Sequence, residues 1–166
     1  MIKNKKYHNY LLKRSFKSLI YRNYFLYPKL SKYMKKKTLD LGCGIGDLLK
    51  YNNEIVGIDI NLENVKYCKS HNLNAHIMEI NVIPFKSNSF SSIILDNVLE
   101  HIEDPNNILL EIKRVLINNG TLIIGVPGQK GYESDNDHKK FYNLSILKKT
   151  FEKKSILIDY FYAPIN

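Results

Sequence analysis

The 166-residue sequence has no tryptophan, two cysteines and five prolines. Cys43 and Cys68 make neither a metal-ligand spacing nor a disulfide framework, so no metal is expected and a reducing, cytoplasmic setting is the default. No apolar run approaches the roughly 18 residues needed to span a bilayer. The start, residues 1–18, is basic but lacks both an apolar core and a small-residue cleavage site, which argues against a secretory leader. Acid is missing from one region: residues 1–39 hold 12 Lys or Arg and no Asp or Glu, whereas the remaining 127 hold 13 basic and 16 acidic side chains. A mildly acidic body therefore follows a basic, Tyr-rich arm. The arm suits phosphates, an acidic substrate or an anionic membrane face. The plainer explanation is compositional, since Lys serves as polar filler along the whole chain.

What is present is ordinary globular material, 44% hydrophobic, of a length that suits one core. The arm reads as two helical stretches, 8–21 and 28–36, with Leu11, Leu12, Phe16, Leu19 and Ile20 at helical spacing. From residue 38 short apolar strands alternate with amphipathic segments. Strands are predicted at 38–42, 54–59, 75–80, 91–97 and 121–126, with helices at 62–71 and 144–151. Asp104-Pro105 opens another helix, Asp as N-cap and Pro at the first helical position, and Asn118-Asn119-Gly120 ends it. A last strand is predicted at 155–162. Alternation of this kind predicts an α/β fold with a doubly wound, mostly parallel sheet, N-terminal helices and a shortened C-terminal sheet edge. The division expected is an arm, 1–37, and a binding domain, 38–166. Ligands of such sheets sit at the carboxyl ends of the strands.

The first strand runs into Gly42-Cys43-Gly44-Ile45-Gly46. Glycines let a ligand approach the backbone and adopt torsions closed to other residues. A dinucleotide fingerprint would place its third glycine one residue later, where Asp47 stands, and an acid there repels pyrophosphate. Asp59, at the end of the second strand, is placed to accept both hydroxyls of a ribose.

LDLGCGIGDLL resembles the first motif, and GIDIN the second, of the class I, Rossmann-like S-adenosylmethionine-dependent methyltransferases. VIPFKSNSFSSIILDNVLEHIEDP and LLEIKRVLINNGTLIIGVPG are similar to the segments that follow in small-molecule members of that family. The resemblance spans residues 38–128. It implies S-adenosylmethionine as cofactor and a methyl acceptor as partner. Asp40, Gly42, Cys43, Gly44 and Gly46 would line its methionine and ribose side, and Asp59 with Ile60 would hold the ribose. Glu79, Ile80 and Asn81 would border the adenine, and Asp96 and Asn97 would lie near the transferable methyl. Glu100 and His101 belong to a recurrent Leu-Glu-His segment. Cys43 and His101 also read as packing residues, Asp40 as an organiser of the loop amides, and Glu79 as a solvent-facing strand end.

Related enzymes carry His, or an Asp-His pair, in the loop after the fifth strand. Here that loop offers Asp135, Asp137 and His138, expected to orient the acceptor or remove its proton. Its alternative is a solvated polar loop. Tyr21, Tyr24 and Tyr27 of the arm are candidates for a second wall or lid. A small hydroxyl-bearing metabolite or sugar-like acceptor is favoured. A nucleic-acid acceptor is the alternative suggested by the arm, although Asp96-Asn97-Val98-Leu99 is not an N-P-P-Y-type motif. A non-catalytic binding protein is the third. The family usually adds two strands after the last helix; with one placed, the sheet edge invites a homodimer.

Overall fold

The computed structural model describes residues 2–151, 157 and 159–162. Its centre is a five-stranded, all-parallel sheet in the order β3-β2-β1-β4-β5. The strands are β1 (Thr38–Leu41), β2 (Val56–Asp59), β3 (Ala75–Ile77), β4 (Phe90–Asp96) and β5 (Leu116–Gly125). Alternate side chains serve opposite faces, as the two-residue period of a strand requires. Leu39, Leu41, Ile93 and Leu95 join one core, and Ile94 joins the other. Both faces are therefore covered, which is why these strands read as apolar runs.

One cover is α6 (Asn106–Val115), whose stripe of Ile108, Leu109, Ile112 and Val115 is buried against the first core. On the other face lie α4 (Asp47–Tyr51) and α5 (Leu62–Ser70), contributing Leu48, Leu49 and Cys68. Ahead of the sheet stand α1 (Ile2–Leu12), α2 (Phe16–Tyr21), a π-helical turn (Arg22–Leu26) and α3 (Tyr27–Ser31). After it come α7 (Gln129–Glu133) and α8 (Leu144–Phe151), the latter with the bounds predicted from its pattern.

Several boundaries differ from the sequence reading. The arm breaks at Ser15, whose hydroxyl accepts from the Ser18 amide and restarts the helix. The third strand stops at Ile77; the Met78 amide still donates to the Asp59 carbonyl at 3.0 Å, and the chain then turns, with Asn81 at a left-handed φ of 61° within a Glu79–Val82 bridge. The N-cap of α6 is Pro105 and not Asp104, so the helix begins one residue later than predicted; Asp104 Oδ1 still accepts from the Asn106 amide at 3.1 Å. Asn118-Asn119-Gly120 does not end that helix. Val115 ends it, Leu116 already pairs with Phe90, and the Asn-Asn-Gly segment fills a register shift within β5, where Asn119 has a φ of 59°. The local turn signal was real, but tertiary pairing with β4 decided which element it interrupts.

Of the predicted last strand, Leu157 and residues 159–162 carry no strand structure, and the rest lies outside the described residues. Phe161 packs on the second core, and the Tyr33 hydroxyl donates to Asp159. Among the described residues β5 is an edge strand.

Candidate functional site

The chain leaves β1 for β2 and β3 on one side and returns to β4 and β5 on the other. In open parallel sheets ligands bind where that order reverses, at the carboxyl ends of the strands, which here means the ends of β1 and β4. Three carboxylates converge there: Asp40 near the end of β1, Asp59 at the tip of β2 and Asp96 at the tip of β4.

The glycine turn is held by local geometry. Gly42, Gly44 and Gly46 have φ of 81°, 55° and 75°, left-handed values that a side chain resists. A Cβ on Gly42 would come within 2.5 Å of Val98, and one on Gly46 within 2.7 Å of Leu73. The amides of Gly42 and Cys43 both donate to the Ile58 carbonyl, at 2.8 and 3.0 Å, which ties the turn to β2. Cys43 is buried, with its sulfur among the core residues, and packs as a small apolar side chain.

Asp59 fastens the other side. Its Oδ2 accepts from the Gly44 amide at 2.8 Å, its Oδ1 from the Asn61 amide at 2.7 Å, and Asn64 Nδ2 donates to Oδ2 at 3.4 Å. Burial pushes its pKa up while these three hydrogen bonds pull it down. A carboxylate offers about four acceptor positions. With one of the three bonds long, Asp59 keeps capacity for a ligand diol. Ile60, the next residue in the chain, is exposed, as are Glu79 and Ile80 beyond β3, the latter 76% accessible.

Asp40 is buried, and burial, reinforced by Asp96 and Asp59, pushes its pKa up to about 8. Three acids drawn together in this way repel phosphate and favour a cationic ligand. Asp96 is partly neutralised by Arg22, whose Nη1 donates to Oδ2 at 3.1 Å and approaches the Tyr27 hydroxyl at 3.5 Å. Burial pulls the Arg22 pKa down, but Asp96 and Tyr27 outweigh it and hold the guanidinium charged. Asn97, with a φ of 57°, donates from its side chain to Asp96 Oδ1 at 3.0 Å. Arg22 lies on the π-helical turn, a distortion common at functional sites.

The arm also reaches over the loop. Leu11, 2% exposed, packs at Gly44, and Arg14 donates to Asp47 at 2.6 Å. His8 Nδ1 pairs with Asn64 Oδ1 at 2.8 Å. A pocket of about 390 Å³ between arm and body is lined by Arg14, Arg22, Tyr27, Ile45 and Asp47, among others. Of the three arm tyrosines, Tyr27 is buried, Tyr21 is partly buried against Phe25, and Tyr24 is exposed.

His138 stacks on Tyr132 at 5.3 Å and lies 4.7 Å from the His101 ring. Its Nδ1 donates to the Tyr132 carbonyl at 2.7 Å. Its Nε2 lies 3.9 Å from Glu100 Oε1 and 4.0 Å from Asp135 Oδ2. Asp135 is thus the acidic neighbour from the loop. The Asp137 amide donates to Asp135 Oδ1, and its carbonyl faces His101 Nδ1 at 3.4 Å.

Glu100 is completely buried, and among the described residues both its oxygens lack a hydrogen-bond partner. Burial raises its pKa to about 7, against the pull of its own nearby backbone amide and then the attraction of His138. Tyr7, on α1, meets the His101 ring edge-on at 6.5 Å. Its pKa is raised by burial, opposed by Arg14, with further upward pushes from Asp59, Asp135 and Glu100. Tyr7 thus brings the arm against the His101 side of the cluster.

Sequence reasoning missed Arg22, Arg14, His8 and Tyr7, because single cationic or aromatic residues on a helical arm carry no local signature. It singled out the Leu-Glu-His segment without a role for Glu100.

A family described as a methyltransferase domain matches residues 39–124. An uncharacterised protein of Methanocaldococcus jannaschii is 37% identical over 142 residues, 79% of this chain and 60% of that protein. A second from the same organism is 33% identical over 113 residues, 65% of this chain and 55% of the other. The chain thus spans little more than half the length of these relatives. A Thermotoga maritima structure, described as a SAM-dependent methyltransferase and possible histamine N-methyltransferase, superposes with a TM-score of 0.75. It covers 92% of this chain and 80% of its own at 17% identity, a likeness of fold.

Proposed function

Because the chain belongs to the methyltransferase-domain family matched over residues 39–124, we propose that it transfers the methyl group of S-adenosylmethionine to a small hydroxyl-bearing molecule. The observation that carries this reading is the Asp59 carboxylate at the tip of β2, hydrogen-bonded to Gly44 of a left-handed glycine turn. When bound, the cofactor supplies an activated methyl on a sulfonium, so the protein has mainly to position the acceptor and exclude water.

Asp59 accepts from the ribose hydroxyls. Asp40, Gly42, Gly44 and Gly46 border the amino-acid end, where an acidic pocket suits a cation better than a phosphate. Ile60 and Ile80 cover the adenine faces, with Glu79 and Asn81 at its edge. Asp96, already paired with Arg22, and Asn97 lie towards the methyl; a carboxylate so neutralised does not pin the sulfonium in the ground state. Tyr7, Leu11, Arg14 and Arg22 make the arm a lid. Glu100, His101 and His138, with Asp135 beside them, orient the acceptor hydroxyl. His138 donates through Nδ1, so its neutral form keeps the Nε2 lone pair for it.

A nucleic-acid acceptor would draw on the same arm. Arg14 and Arg22, however, face inward onto Asp47 and Asp96, where they are unavailable to phosphates.

Calorimetric titration with S-adenosylmethionine and S-adenosylhomocysteine tests the reading. One-to-one binding of both, with demethylation of the former in the presence of a hydroxyl acceptor, is expected. Binding of neither would overturn it.

A further inference from the structure

We infer that Glu100, His101 and His138 form a divalent-cation site. One ligand atom from each residue can be chosen so that all three lie within 4.8 Å of one another. The two histidines come to the cluster already oriented as metal ligands usually are. A backbone carbonyl can only accept, so Nδ1 of His138 carries a proton towards Tyr132 O at 2.7 Å, and Nδ1 of His101 towards Asp137 O at 3.4 Å. In their neutral forms both rings then keep an Nε2 lone pair for the cluster. Such an anchor on the non-ligating nitrogen fixes tautomer and ring plane.

Glu100 provides the second, independent observation. A fully buried carboxylate with two unpartnered oxygens is costly, and a buried charge is ordinarily paired or bound to a metal. His138, at 3.9 Å, is too far for a hydrogen bond. A cation between them removes that deficit.

Two imidazoles and one carboxylate on one side of an ion leave positions open, as in catalytic sites of first-row divalent metals. At metal–ligand distances of about 2.1 Å, ligand atoms stand about 3.0–3.4 Å apart, so closing the site takes shifts of around an ångström. His138 lies on the connection between α7 and α8, where the Lys139 and Lys140 amides both donate to the Glu100 carbonyl, at 2.7 and 3.1 Å, so the backbone already holds the loop against the 3₁₀ turn Leu99–His101 and closing needs side-chain adjustment. The Glu100–His101 turn follows the tip of β4 closely in the chain, and Tyr7 of the arm meets the His101 ring edge-on at 6.5 Å. That the open positions take an oxygen of the acceptor, favouring acceptors with a hydroxyl, rests on the methyl-transfer reading; binding of the ion does not.

The test uses the full chain, freed of metal with a chelator and titrated with Co(II), followed by visible absorption, and with Mn(II), followed by electron paramagnetic resonance. One equivalent of Co(II) is expected, with a ligand-field spectrum, and at least tenfold weaker binding in Glu100→Gln and in His138→Asn. Far-ultraviolet circular dichroism and a cooperative thermal transition report that each variant is folded; if Glu100→Gln does not fold, His138→Asn and His101→Asn carry the comparison. Failure to bind Co(II) and Mn(II), or equal binding in the folded variants, overturns the site. Cofactor binding without metal binding would sink the cation site alone. Metal binding without cofactor binding or transfer would sink the methyl-transfer reading and leave the cation site standing.

Discussion

Replacing Asp59 by alanine removes the acceptor for the Gly44 amide at 2.8 Å and the Asn61 amide at 2.7 Å. Hydrogen bonds to a charged group contribute about 1.5–3 kcal/mol each. Burial works against that sum, since it raises the Asp59 pKa, and the desolvation cost is recovered when the carboxylate is deleted. A net loss of about 2–4 kcal/mol follows, part of it from two amides left unpaired. In a chain of this length each kcal/mol corresponds to about 2–4 °C, so the variant should melt about 4–16 °C below the parent. Asp59→Asn keeps one oxygen acceptor but turns a donor towards the second amide, and should lose at least as much as it restores. Thermal unfolding by circular dichroism, with and without S-adenosylhomocysteine, measures both roles of the residue. The parent should gain stability with the ligand, and Asp59→Ala should gain none. A melting temperature within about 2 °C of the parent would refute the idea that this carboxylate ties the glycine turn to β2.

Asp40 supplies a pH test. With a pKa near 8 it is mostly protonated at pH 7, and a cationic ligand beside it favours the ionised form. Cofactor binding at pH 7 should therefore release up to about one proton, falling towards zero by pH 9 to 10, where Asp40 is already ionised. Calorimetry in buffers of different ionisation enthalpy reads this directly, and release persisting in Asp40→Asn would assign the proton elsewhere. Gly46→Ala should destabilise the fold by about 2–5 kcal/mol, combining left-handed strain with overpacking. The added Cβ would lie 2.7 Å from Leu73 and 2.9 Å from Cys68 at a φ of 75°. Denaturant unfolding would expose the error if the midpoint did not move.

The parallel sheet and its glycine turn were legible from local pattern because their causes are local. Apolar strands such as TLDL and SIILD suit a sheet covered on both faces, and glycine suits the positive φ of positions 42, 44 and 46, close to Val98, Leu11 and Leu73. Asp59 stood out in the sequence by its position at the end of β2, but its structural work at Gly44 and Asn61 was not legible there. Element boundaries shifted where partners lay far away: Leu116 left the helix because Phe90 waits beside it in β4. The arm's role was decided by packing alone. Arg22 meets Asp96 across 74 residues, and nothing in RNYFL announces a π-turn that delivers a guanidinium there. Glu100 and His138 are likewise joined by the adjacency of β4 and β5, which brings the segments after the two strands together. Periodicity and turn chemistry act over a few residues and survive in the sequence. Charge pairs and ligand clusters depend on which strand lies beside which, and only the closed fold sets that.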